Sequence, residues 1–81
     1  MPLFHDVHDG LILPPEAIVQ IKAGAEAREH DQFGVRQEAL YYNADGHVVC
    51  ILDAPDEQAV RDHHHALGVS CGDVHSVTSI M

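Results

Sequence analysis

The stretch RDHHHALG, residues 61 to 68, sets three imidazoles side by side in the interior of the chain, where an expression tag would not sit. Imidazole nitrogens bind borderline divalent metals and exchange protons near neutral pH, so the run is a candidate for either chemistry. Successive side chains on an α-helix are about 100° apart, so His63, His64 and His65 cannot all face one ion. At most one or two are ligands. If the apolar stripe passes through Ala59, Val60, Ala66 and Leu67, His63 lies inward, His64 borders the stripe and His65 meets solvent. An inward histidine also suits a hydrogen-bonded core.

The segment HDVHD supplies the next candidates, Asp6 and His8. On a strand, residues two apart project from the same face with stems about 6 to 7 Å apart, within chelating range. A buried carboxylate beside a buried imidazole is costly unless it meets a cation or water. Cys50 is a third candidate: a buried cysteine is usually a small apolar residue, but beside neutral imidazoles its thiolate binds nickel, copper or zinc. No HxxxH, CxxC or HExxH motif is present, so any site must be assembled in space from separate elements. Leu3, His5 and Val7 form the more apolar face of the first strand and are expected to meet the helices. Asp6 and His8 would then face away from His63, which leaves one site and two smaller ones as alternatives. His30 and His47 are expected in solvent, and His75 suits either role. Tyr41 and Tyr42 point to opposite faces, one toward the core. Cys71 has no basic neighbour in its loop to activate it.

Six elements would position these groups. LFHDVH alternates as a strand does, and DGLILPPE breaks it with a turn glycine and prolines suited to a helix start. EAIVQIKAGAEAREHDQ has Ile18, Ile21 and Ala25 at helical spacing, and Gly34 ends the helix. VRQEALYYN is a second strand, NADG a hairpin turn and HVVCILDA a third strand. APDEQAVRDHHHALG is a second helix stopped by Gly68, and GDVHSVTSI a final strand. The order β-α-β-β-α-β predicts an α+β, ferredoxin-like fold: one domain over residues 1 to 81, with a four-stranded antiparallel sheet and two helices on one face. The third strand carries Val48, Cys50 and Leu52 on one face and Val49 and Ile51 on the other, so both faces need cover. A second copy of the sheet could supply it, giving a homodimeric α+β barrel.

The charge excludes several classes of partner. Thirteen acidic residues face four lysines and arginines, for a net charge of -9, which repels nucleic acid and anionic membranes and favours cations. No stretch is long and apolar enough to span a bilayer, and the N-terminal residues lack the pattern of a signal peptide. Two cysteines outside a CxxC pair read as free thiols in a reducing compartment, and the chain is read as cytoplasmic.

FHDVHD at the start, VVCILDAP on the third strand and VRDHH in the second helix together resemble a family of small bacterial ferredoxin-like nickel-binding proteins. The resemblance implies a dimer that binds nickel or a similar ion, such as zinc or copper, through Asp6, His8, Cys50 and His63. Relatives often carry a histidine in the first helix and another directly before the glycine ending the second. Here the first is absent and Leu67 precedes Gly68, so the coordination number stays open, with His64 or His5 as substitutes. The leading reading is a non-enzymatic metal-binding protein serving sequestration or response. One alternative is a dimeric α+β-barrel acid-base enzyme for a small hydrophobic substrate, marked by a closed apolar pocket with His8 or His63 and no converging ligands. The other is a non-catalytic interaction module with scattered, solvated histidines.

Overall fold

In a computed structural model, which describes residues 2 to 80, six elements follow in the expected order: β1 (Leu3–His8), α1 (Pro15–Ala27), β2 (Arg36–Tyr42), β3 (Val48–Asp53), α2 (Glu57–Leu67) and β4 (Val74–Val77). The strands form one antiparallel sheet in the order β2-β3-β1-β4, so the two strands richest in candidate ligands lie side by side at its centre.

Local chemistry explains most of the boundaries. Pro15 occupies the first turn of α1, where its missing N–H costs nothing. The helix ends at Ala27, several residues before Gly34, because Arg28 turns into the left-handed region (φ 57°) and its N–H bonds back onto the last turn. Residues 28 to 35 are therefore loop rather than the helical continuation expected from the sequence. Asp31 organises that loop, accepting from the amides of Phe33 and Val35 at 2.8 and 3.0 Å. The NADG turn forms as expected, with the Asn43 carboxamide oxygen accepting from the amides of Asp45 and His47. Gly46 is required there: its φ is 87°, and a Cβ would lie 3.0 Å from the Leu11 amide nitrogen. That amide donates to the Gly46 carbonyl at 2.9 Å and pins the turn after β1 against the hairpin. Asp56 caps α2 by accepting from the Ala59 amide at 2.8 Å, and Gly68 closes the helix in the left-handed region.

The core lies between the sheet and the helices and is built from Phe4, Val35, Val48, Cys50, Leu52, Ala54, Ala59, Val60 and Val74. The covered face of β1 differs from the expected one. Phe4, Asp6 and His8 are buried under the helices, whereas Leu3, His5 and Val7 are only half-buried on the opposite face. The register accounts for the difference. Phe4, Asp6 and His8 pair with Leu52, Cys50 and Val48, and the aliphatic pair Val48 and Leu52 fixes which side of the central strands meets the helices. Tyr41 and Tyr42 are both largely exposed, at 67% and 52%, so neither is the expected core tyrosine. Both lie on the end of β2, an edge strand, beyond the cover of the helices.

Candidate metal centre

Because β1 turns Asp6 and His8 toward the helices, the side chains read as separate groups come together. Asp6 is 1% exposed at the centre of the sheet, with Cys50 opposite it on β3 and Val74 opposite it on β4. His8 lies one strand period further along the same face. The helix contributes His64 rather than His63. His64 is four residues after the fully buried Val60 and shares its face, so the stripe runs through Ala59, Val60 and His64 and leaves Leu67 64% exposed. Placing Ala66 and Leu67 inward rotates the helix by about one residue; in fact His65, Ala66 and Leu67 are all exposed. His63 instead points along the flank of α2, where its Nδ1 meets the Asp31 carboxylate and ties the 28 to 35 loop to the helix. His65 is exposed, as expected.

Three donor atoms converge. Asp6 Oδ2 lies 2.6 Å from His64 Nε2 and 2.9 Å from His8 Nε2, and the two imidazole nitrogens are 3.2 Å apart. The tautomer of His64 follows from its other nitrogen: Nδ1 is 2.7 Å from the Val60 carbonyl, which can only accept, so Nδ1 carries the hydrogen. Nε2 of a neutral His64 therefore aims a lone pair at a carboxylate oxygen. Such an arrangement needs a positive charge between the two, either a proton on Nε2 or a metal ion. Asp6 Oδ1 is also buried, and the Cys50 thiol adds a hydrogen bond to the carboxylate. A cation bound among these groups would offset the cost of burying the charge.

The electrostatics agree with the geometry. Burial alone pushes the Asp6 carboxyl up, but the adjoining His64 imidazole, with His8 and Cys50 behind it, outweighs burial and holds it below its ordinary 3.8. Burial pushes His64 down, yet Asp6 and the Val60 carbonyl outweigh it and raise the imidazole above 6.5. Burial, then the nearby Asp6 charge, pushes the Cys50 thiol up to about 12. The thiol is thus protonated at neutral pH and can join an ion only by releasing that proton.

The residues fit a borderline divalent ion. Bonds of about 2.0 to 2.1 Å to nitrogen and oxygen place neighbouring donors roughly 3 Å apart, close to the spacings among Asp6, His8 and His64. Donor atoms of Asp6, His8 and Cys50, all buried, lie within 4.8 Å of one another, and so do those of Asp6, His64 and half-buried Cys71. Two imidazoles, a carboxylate and a thiol suit nickel, copper or zinc and are a poor set for calcium or magnesium. The backbone carbonyl held by His64 Nδ1 is the orienting contact that metal-bound histidines make.

The other histidines stand apart. His5 faces His75 across β1 and β4 on the open face, with ring centres 6.4 Å apart. His47 pairs with Asp9 at 2.7 Å in an exposed contact. His30 lies 3.8 Å from Asp53 and is largely exposed. Cys71 was not expected among the candidates. It is brought to Asp6 by the return of β4 along β1, a long-range pairing that no local spacing announces.

A crevice of about 390 Å³ opens beside the cluster between the sheet and both helices. Its walls are mainly aliphatic, including Leu13, Ile21, Leu40 and Leu52, and it reaches His8, Cys50, His63 and His64. No helix among the described residues is long and apolar enough to cross a membrane.

Residues 3 to 77 match the family model described as nickel responsive protein SCO4226-like. The crystal structure of SCO4226 from Streptomyces coelicolor A3(2) is similar at a TM-score of 0.72 and 25% sequence identity, covering 98% of this chain and 99% of that one. No curated protein matches the chain.

Proposed function

The chain belongs to the nickel-responsive SCO4226-like family, and on that premise we propose that it is a small metal-binding protein for nickel or a similar borderline divalent ion. The ligands are Asp6, His8, His64 and Cys50. The observation that carries this reading is the convergence of Asp6 Oδ2, His8 Nε2 and the lone-pair nitrogen of His64 within 3.2 Å in a buried setting. His63, a ligand in the expectation from the family, holds Asp31 and the loop instead. The purpose we assign is sequestration of the ion or response to it, in a reducing, cytoplasmic setting that suits two free thiols. The binding cation is also the partner that the charge of -9 favours; nucleic acid and membrane are not.

The same reading includes a homodimer. Val49 and Ile51 on β3 and Val7 on β1 are half-buried on the face opposite the helices, next to exposed Tyr41 and Val77. A second sheet packed there would bury them and complete the α+β barrel.

One observation favours a second reading, an acid-base enzyme: the crevice is the size of a small hydrophobic substrate and reaches His8 and His63. It is open rather than closed, however, and its wall includes His8, Cys50 and His64 from the converging set. That favours the ion. Equilibrium dialysis of untagged protein against nickel, zinc and cobalt separates the readings. Binding at micromolar or better affinity, lost at least ten-fold in the double variant His8→Ala with Cys50→Ser, supports the metal reading. Failure to bind, or unchanged binding in that variant, would remove it.

A further inference from the structure

The crevice of about 390 Å³ between the sheet and the helices joins apolar walls to three of the proposed ligands. His8, Cys50 and His64 line it and Asp6 does not, so an ion held among the four borders the open space. The first helix, α1, forms another wall, and none of its residues is buried. It contributes Gln20, Ile21, Gly24 and Ala25 to the lining, with no histidine, cysteine or carboxylate among them. Gly24 is the informative residue. Ala17, Ile18, Ile21, Gly24 and Ala25 are the half-buried stripe of α1 at helical spacing, which places Gly24 on the side toward the sheet. Glycine inside a helix is destabilising relative to alanine, and the two usual reasons for one are missing here. Its backbone is ordinary helix, outside the left-handed region, and a Cβ built on it would meet nothing within 4 Å. Neither conformation nor close packing requires it. What the missing side chain leaves is room in the crevice.

Resting on the metal-binding reading above, we propose that the crevice holds a small, uncharged, largely apolar molecule with one donor atom, which ligates the bound ion from the α1 side. The walls define the body of that molecule. Leu13, Ile21, Leu40 and Leu52 offer it burial of apolar surface and little else. The local charge defines its head. Exposed Glu29 and Asp31 also line the crevice, in a chain of net charge -9, so a carboxylate or phosphate ligand is repelled. The donor is therefore neutral, an azole-type or pyridine-type nitrogen, which suits the same borderline ions as the histidines do. Ion and molecule bind cooperatively: the ion anchors the head, the crevice buries the body, and each raises the affinity for the other.

Two probes, 4-phenylimidazole and imidazole, share a donor ring and differ by an apolar body. Each is titrated into the cobalt(II)-loaded full chain at about pH 8, where both are mostly uncharged, and visible cobalt absorption reads the ligation. The phenyl probe should shift the cobalt bands and bind at least ten-fold more tightly than imidazole. Gly24→Leu should bring the two probes within about two-fold of each other and keep cobalt affinity within about three-fold. Gly24→Ala, which adds one methyl group, should keep the preference. Equal affinity of the two probes in the wild-type chain would overturn the proposal, as would a preference that survives Gly24→Leu or cobalt bands unmoved at saturating probe. A wild-type chain that binds neither cobalt nor nickel would instead remove the underlying metal reading, so the two failures are distinct.

Discussion

Asp6 and Cys50 are direct partners across the antiparallel pair of β1 and β3, and both are buried beneath the helices. One consequence is chemical silence of the thiol. Burial and then the Asp6 carboxylate keep Cys50 protonated until about pH 12, so in metal-free protein it should resist alkylation at neutral pH in the native state. Nickel loading should release protons into weakly buffered solution, including one from Cys50. Mass spectrometry after iodoacetamide treatment and potentiometric titration check the two halves of this expectation. Rapid native alkylation of Cys50 would contradict it.

The pair formed by His64 and Asp6 sets a pH dependence with two opposite signs. His64 is raised above 6.5, so its contribution to metal-free stability is full below 6.5 and is lost as pH rises through the raised value. Asp6 is lowered below 3.8, so its contribution is present above 3.8 and is lost as pH falls through the lowered value. The pair should therefore stabilise metal-free protein most between about 3.8 and 6.5. Nickel affinity should run the other way at the upper end, rising as the proton leaves His64 Nε2. Urea unfolding and nickel dialysis over a common pH series measure both slopes.

Neighbouring histidines on α2 should behave unlike each other. His64→Ala removes a buried donor and should lower nickel affinity at least ten-fold. His63→Ala should leave affinity within about two-fold and cost about 0.5 to 1 kcal/mol through the lost contact with Asp31, discounted because that pair is partly exposed. Calorimetric titration and thermal unfolding separate the two effects.

The open sheet face gives a further expectation. Ile51→Lys places a charge among Val7, Val49 and Tyr41 and should convert a dimer to a monomer in sedimentation velocity. Its helix-side cluster should still bind nickel. A monomeric wild-type chain would remove the dimer from the proposal.

Much of the fold was legible because local signals agreed. Alternation in LFHDVH, the NADG turn and Gly68 after the second helix each name an element or its end. The shared face of Asp6 and His8 was legible as well, since a strand repeats every two residues. Which face was covered was not. Leu3, His5 and Val7 outrank Phe4, Asp6 and His8 in apolar character, and only the register against Val48 and Leu52 reverses the choice. His63 and His64 are chemically identical neighbours, so a rotation of one residue decided between them, and Leu67 pulled the sequence-based stripe the wrong way. Cys71 depended on the path of a loop and the pairing of β4, which lie beyond any local pattern.

His64 and the Val60 carbonyl that orients it are one turn apart on the same short helix, and the His64 carbonyl itself accepts from the Val69 amide at 3.0 Å in the helix stop. Fraying of that final turn would therefore swing the imidazole away from Asp6 and unlock its ring in a single motion. Ion loading and the ordering of the end of α2 become one equilibrium, so amide hydrogen exchange over residues 64 to 69 should slow in proportion to occupancy of the site.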